Sequence, residues 1–382
     1  MKYLVKILIV LFVFSSLSLA QLLYDKKENV VNNQKSGDEN KFIFSKNKNL
    51  VVNFSGRLHR MFLNVDDGAN SDLFFTDSDQ GPTMLRFDAT GKVSNAFSIA
   101  ATIETGIRQN PPSLVSQDNR EPGTSVRVRI AEVVLNWTSY GKFSIGRGFA
   151  SAWITPEIDL SGTQYASLLP VGMLAPGMKF VNSSGDTLSN IRVLNHFVDI
   201  ERLLLVDRFR YDSPSFGPGL QISSSVANDS RWDLALRVKP KSSGEWKLVA
   251  GGSYQHKPFL GIDQRFDAAV SVMHILTGFN LTIGGSIDRL TSERNASSFI
   301  MKAGWLADLV SLGKTAFSID YYNTNDLRLE GDKAESIGIF GVQKWPDYGL
   351  DFYLGYRNYG ITRSDINLKD LNILAMGVVF NF

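Results

Sequence analysis

The stretch Leu371–Phe382, LNILAMGVVFNF, sets the tightest limit on what this chain can fold into. Successive side chains of a strand point to opposite sides. Leu374, Met376, Val378, Phe380 and Phe382 therefore share an unbroken apolar face, and Ile373, Ala375, Gly377, Val379 and Asn381 share a smaller, mixed one. The last residues of a soluble domain usually fray. A strand patterned to its final residue needs a neighbour on each edge and something apolar against one face.

The other end says where such a strand would sit. Lys2 and Lys6 precede an apolar run, Ile7–Phe14, and Ser18-Leu19-Ala20 has the small-x-small form of a cleavage site. Residues 1–20 read as a secretory signal peptide, too short to span a bilayer. Its removal takes two lysines from 40 basic residues and leaves 38 acids balanced. Beyond it there is no apolar run near the roughly 18 residues of a membrane helix. The chain has no cysteine, so an exported form gains no disulfide, lipid anchor, thiolate metal site or thiol nucleophile. Without helices, a membrane-spanning chain must close its strands into a barrel, the other structure that satisfies every backbone group in lipid.

Residues 21–50 are polar and rich in Asn and Lys, and read as a periplasmic extension; the barrel is expected over 51–382. Candidate strands are 52–64, 83–90, 95–107, 126–138, 141–149, 202–212, 219–227, 231–239, 245–255, 265–276, 280–290, 297–307, 314–324, 335–345, 349–360 and 371–382. Several alternate cleanly: Phe97, Ile99 and Ile103 oppose Ser98, Thr102 and Glu104, and Leu281, Ile283 and Ile287 oppose Thr282, Ser286 and Asp288. Short turns such as Ser139–Gly141 and Pro240–Gly244 alternate with longer segments such as Arg108–Ser125 and Asn325–Ala334. The fold class is all-β: a transmembrane antiparallel barrel of about sixteen strands, with both ends on the periplasmic side. The phase breaks near Arg57–Phe62 and Ala131–Val134, which calls for bulges or a subunit contact.

The longest connection, 150–201, holds Trp153, Tyr165, Leu168, Leu169, Met173, Leu174, Phe180 and Phe197. That is enough apolar surface to pack, and a loop this long is usually functional or disordered. Folded inward, it would narrow a barrel whose size otherwise leaves an aqueous lumen. Inward phase places Arg57, His59, Arg86, Arg127, Arg129, Arg208 and Arg210 on the wall. Glu157 and Asp159 of the loop, with Asp186 further on and Asp88 and Glu104 on the wall, would complete a constriction with a transverse field. Charged rings of this kind set ion preference. Alternatively, the arginines pair with Asp88, Glu104 and Asp212 for packing alone.

Three segments carry a family resemblance: FSGRLHRMFLNVDDG (54–68), GRGFASAWITPEIDLSGTQYA (146–166) and RFRYDSPSFGPGLQISSS (208–225). Together they resemble the Gram-negative general porins, the alphaproteobacterial type above all. The resemblance implies a sixteen-stranded, trimeric diffusion channel of the bacterial outer membrane. In it the second segment leads from the fifth strand into the constriction loop. Phe380 and the terminal Phe382 resemble the signal read by the barrel-assembly machinery. Lipopolysaccharide at the rim and small hydrophilic solutes are the other implied partners, and no cofactor is implied. Arg147, in outward phase, departs from the family's usual neutral residue.

An enzyme is the rival from another class, but His59, His196, His256 and His274 come with no serine elbow, His–acid pair or HExxH spacing. A substrate-specific channel is the second rival. An arginine ladder suits anions, and Tyr165, Tyr322 and Tyr353 are candidates to contact sugars. No basic patch interleaved with aromatics points to nucleic acid.

Overall fold

The computed structural model describes residues 42–43, 49–153, 158–197, 205–240, 244–259 and 261–382. The signal peptide and most of the 21–50 extension lie outside them. Sixteen antiparallel strands close on themselves: β1 (Leu50–Asp66), β2 (Met84–Lys92), β3 (Phe97–Gln109), β4 (Thr124–Trp137), β5 (Gly141–Phe149), β6 (Leu205–Asp212), β7 (Leu220–Ala227), β8 (Trp232–Val238), β9 (Trp246–Phe259), β10 (Ile262–His274), β11 (Phe279–Leu290), β12 (Asn295–Val310), β13 (Gly313–Asn325), β14 (Lys333–Trp345), β15 (Leu350–Thr362) and β16 (Leu371–Asn381). Each expected strand has its counterpart. β16 pairs with β1 from Arg57↔Asn381 to Asp66↔Asn372 and so closes the barrel.

Period 2 decides the two surfaces. Ile103, Leu234, Phe266, Ile287, Ile319 and Ile339 point outward and stay exposed, while Asp233, Arg265, Thr282, Asp288 and Asp320 point inward and are buried. An apolar belt outside and polar groups inside is the arrangement a bilayer selects. On β16, Met376 and Phe380 are exposed, as is Phe382 just past its end, and Ile373, Ala375 and Val379 are buried, as the pattern requires.

Of the two expected phase breaks, one is a bulge and the other does not occur. Glu104 pairs with Ile130 but Thr105 with Val128, so Arg129 is the extra residue of β4. A bulge of this kind re-aims side chains. Here it lets Arg127, Arg129 and Ile130 all serve the interior. β1 keeps one phase throughout: His59, Met61, Leu63 and Val65 are all buried inside. Its inner face is apolar because the long insertion packs on it.

The segment 66–82, between the first two expected strands, is partly wall. Ser71–Thr76 pairs with the upper half of β1 (Met61↔Thr76 to Asp66↔Ser71), and β2 pairs with the lower half (Leu50↔Gly91 to Arg57↔Met84). The second staff of the barrel is therefore broken, and residues 77–83 leave the wall between its two pieces.

The insertion folds inward, as its apolar content suggested. Leu169, Val171, Leu174, Met178, Phe180, Val193 and Phe197 pack in one buried cluster with Leu63, Ile300, Phe340, Tyr359 and Ile373 of the wall. A second cluster joins Ile158 to Ala235, Val249 and Ala269. The insertion's small hairpin, Lys179–Val181 with Leu188–Arg192, is tied to the loop before β4. Lys179 Nζ donates to Asp118 Oδ2 at 2.5 Å and holds that carboxyl below its usual range.

Candidate functional site: a basic cavity beside the inserted segment

Two chain segments leave the wall and meet in the lumen. The first, Asp77–Thr83, turns at Gly81 (φ +120°), where an added Cβ would come within 2.9 Å of the Tyr165 ring. Asp77 Oδ1 accepts from the backbone N–H groups of Ser78 and Thr83 and closes the excursion on itself. His59 then fixes it to the wall. Its Nδ1 lies 2.9 Å from the Gly81 carbonyl, and its Nε2 2.8 Å from the Tyr353 hydroxyl. A carbonyl can only accept, so Nδ1 carries the proton and Nε2 accepts from Tyr353. Both ring nitrogens are occupied. The second segment is the long insertion, which joins the first where Leu168 N–H donates to Gln80 Oε1 at 3.1 Å.

Beside this junction lies a cavity of about 750 Å³. Arg57, Arg108, Arg127, Arg129 and Arg231 line it from the inner face of the wall and Arg147 reaches it from the outward phase of β5, against two carboxylates, Asp79 and Glu104. Arg108 is ion-paired to Asp79. Glu104 is shared between Arg129 at 2.7 Å and Arg86 at 3.2 Å. Arg57 donates to Asn381 Oδ1 at 2.9 Å and lies 4.7 Å from the centre of the Tyr165 ring, a cation–π distance. Arg127 has no hydrogen-bond or ion-pair partner among the described residues. Two acids cannot balance six guanidinium groups, so the lining is net positive.

The expected site residues divide. Arg57, Arg127, Arg129 and Glu104 come together at the cavity. Arg86 instead spans Asp88 at 2.7 Å and Glu104. Arg208 is buried, donating to Glu132 at 2.6 Å and to the Phe149 and Gly146 carbonyls. Arg210 pairs with Asp212 at 2.6 Å and donates to the Phe149 and Ala150 carbonyls. These last two clamp the point where β5 runs into the insertion. Asp159 does not face the arginines across the lumen. It is buried against the far wall, 2.8 Å from Lys302 Nζ, with neither side chain exposed. Asp186 is on the surface with Lys369, and Glu157 lies outside the described residues. Tyr322 and Tyr353 are fully buried between wall and insertion, so of the three expected tyrosines only Tyr165 lines the cavity.

Arg108, Asp79 and Gln80 also line the cavity, and no local pattern marks them. The polar run Ser78–Gly81 before Pro82 reads as an external loop unless the pairing of Ser71–Thr76 is known. Leu168, Met173 and Leu194 were also missed as lining residues, and they make the insertion's side of the cavity apolar. Among the described residues, no group of three or more His, Asp or Glu side chains is placed to hold a metal ion.

No protein-family model matches the chain, and no curated protein matches it. Solved structures do. A loop-deletion form of OmpT, an outer membrane protein of Vibrio cholerae, superposes with a TM-score of 0.60 at 12% identity, over 88% of this chain and 100% of that one. The chain has the barrel fold of outer-membrane porins. An anion-selective porin from Comamonas acidovorans gives a TM-score of 0.59 at 12% identity, over 87% of this chain and 100% of that one. OmpT of Vibrio cholerae in a trimer form gives 0.56 at 11%, over 88% and 100%.

Proposed function

We propose that the chain is a passive diffusion channel for small hydrophilic solutes and ions, set in the bacterial outer membrane. The observation that carries this reading is the cavity of about 750 Å³ left between an arginine-bearing wall and a segment folded inside a closed, apolar-belted barrel. In this reading the lumenal His59 is structural, holding the Gly81 carbonyl and the Tyr353 hydroxyl with its two ring nitrogens. The order of the three porin-like segments supports an alphaproteobacterial-type affiliation. Lipopolysaccharide at the rim and the barrel-assembly machinery at Phe380 and Phe382 complete the proposed partners.

Single-channel recording of the purified chain in a planar bilayer tests the reading. Discrete open steps are expected, and an absence of steps refutes it. Under a salt gradient the reversal potential should show preference for anions. A unit charge within roughly 7 Å of a passing ion in water changes its energy by about RT, a factor of about three. The double variant Arg127→Ala/Arg129→Ala is therefore expected to lower the anion-to-cation permeability ratio by roughly three- to tenfold at low salt, less where salt screens. An unchanged reversal potential would remove these residues from the ion path.

A homotrimer belongs to the same proposal, and the low side of the wall is where its contacts are best sought. β7 and β8 have only 8 and 7 residues, against about 9–11 for a strand that spans lipid. Their neighbourhood presents Phe143 and Tyr211 with ring centres 4.9 Å apart, and an outward ion pair, Arg147–Asp207, at 3.5 Å. Charges facing lipid are costly at bilayer depth, and a neighbouring copy would relieve that cost. Arg147→Glu is expected to convert the native oligomer to monomeric barrel on an unheated gel; retention of the oligomer places the contacts elsewhere.

A further inference from the structure

We propose that the cavity selects carboxylates that carry an apolar body, such as benzoate, over equally charged small anions. The inference rests on the channel reading above and specifies its solute. The two sides of the cavity differ in kind. One side is guanidinium: Arg57, Arg127 and Arg129, of which Arg127 has no partner among the described residues. The other is the insertion's apolar surface, with Leu168, Met173 and Leu194, the last 40% exposed. A pore tuned only for hydrated ions gains nothing from a leucine held open to its water, since exposed apolar surface is unfavourable in proportion to its area. A solute that binds both sides removes that surface from water and supplies an oxyanion to a fork able to take it through two hydrogen bonds. Neither chloride, which has no apolar body, nor a neutral sugar, which has no charge, can use both.

The segment that shapes the apolar side is fixed. Lys302 and Arg357 hold Ser167 next to Leu168, and Gln80 accepts from the Leu168 N–H. The apolar side is thus presented by a braced surface, and the cavity volume lies within the roughly 300–1,000 Å³ of small-molecule sites.

The test uses the full chain in a planar bilayer in potassium chloride, with sodium benzoate, sodium acetate or benzyl alcohol added to one side. Benzoate is expected to reduce the current at a concentration about tenfold lower than acetate, and benzyl alcohol is expected to have no effect at that concentration. Leu194→Ser, or Met173→Ser as a second variant, should bring benzoate to the acetate level. Arg127→Gln should weaken both carboxylates. Equal potency of acetate and benzoate, or benzyl alcohol matching benzoate, overturns the proposal. An open channel that none of the three affects overturns it while leaving the channel reading intact, whereas an absence of conductance overturns both.

Discussion

Replacing Lys302 with methionine is expected to loosen the first part of the insertion and raise single-channel conductance. Lys302 sits on β12 with its ammonium fully buried, donating to Asp159 Oδ2 at 2.8 Å and to the Ser167 carbonyl. Methionine fills most of the space but leaves the Asp159 carboxylate without its cation in a dry site. Breaking a buried pair from one side costs about 3–5 kcal/mol. The effect should stay local. Leu169, Val171, Leu174, Phe180 and Phe197 are at most 1% exposed, and each contributes up to about 2 kcal/mol of burial, so the later part of the insertion outweighs the lost pair. Residues near Asp159–Tyr165 should become accessible to protease while the hairpin at 179–192 stays protected. Adding Asp159→Asn removes the stranded charge and should restore most of the protection, an interaction that a double-mutant cycle measures. If Lys302→Met alters neither conductance nor cleavage, the pair does not hold the insertion.

That anchor shows where the sequence stops being readable. Strand phase is local, with period 2, so the outward belt and the inward placement of Arg57, Arg127 and Arg129 follow from a few neighbouring residues. The bulge that turns Arg129 and Ile130 to the same side is legible as a broken phase, which a bulge or a subunit contact would explain alike. Pair identity is not local. Asp159 and Lys302 lie 143 positions apart, and nothing in the pattern around Asp159 distinguishes a constriction acid from a structural one. The same limit applies to Arg208 and Arg210: their inward phase and Asp212, two positions from Arg210 on the same strand, are legible, but Glu132 and the backbone carbonyls before the insertion are not. The excursion at 77–83 was missed for another reason. A strand of six residues, Ser71–Thr76, follows a tight turn at Asp67–Asn70, and the Gly-Pro step after it is turn chemistry that serves an inward excursion as well as an external loop.

Removal of Phe382 is expected to have the largest effect of all, on assembly. The seam between β16 and β1 ends at this residue: its N–H donates to the Gly56 carbonyl at 3.1 Å, and its carbonyl accepts from the Gly56 N–H at 2.8 Å. Its ring lies over Gly56 so closely that an added Cβ there would meet the ring at 2.4 Å, and it sits beside Phe54 and Phe380 on the outer surface. In the finished barrel the two hydrogen bonds contribute only about 1 kcal/mol each, a small share of a seam that already runs ten residue pairs from Arg57↔Asn381 to Asp66↔Asn372. A barrel once closed should therefore survive the deletion. On the assembly-signal proposal the aromatic end acts earlier, while β16 is an open edge and the chain must be recognised and closed. Deleting Phe382 should thus strongly reduce the amount of heat-modifiable barrel recovered from the outer membrane, while protein refolded in detergent closes and conducts nearly normally. Gly56→Leu separates the two effects, because it leaves the terminal ring present but displaces it: refolding should suffer more than recognition. Normal outer-membrane levels of the deletion variant would show that Phe382 is a seam residue and not an assembly signal.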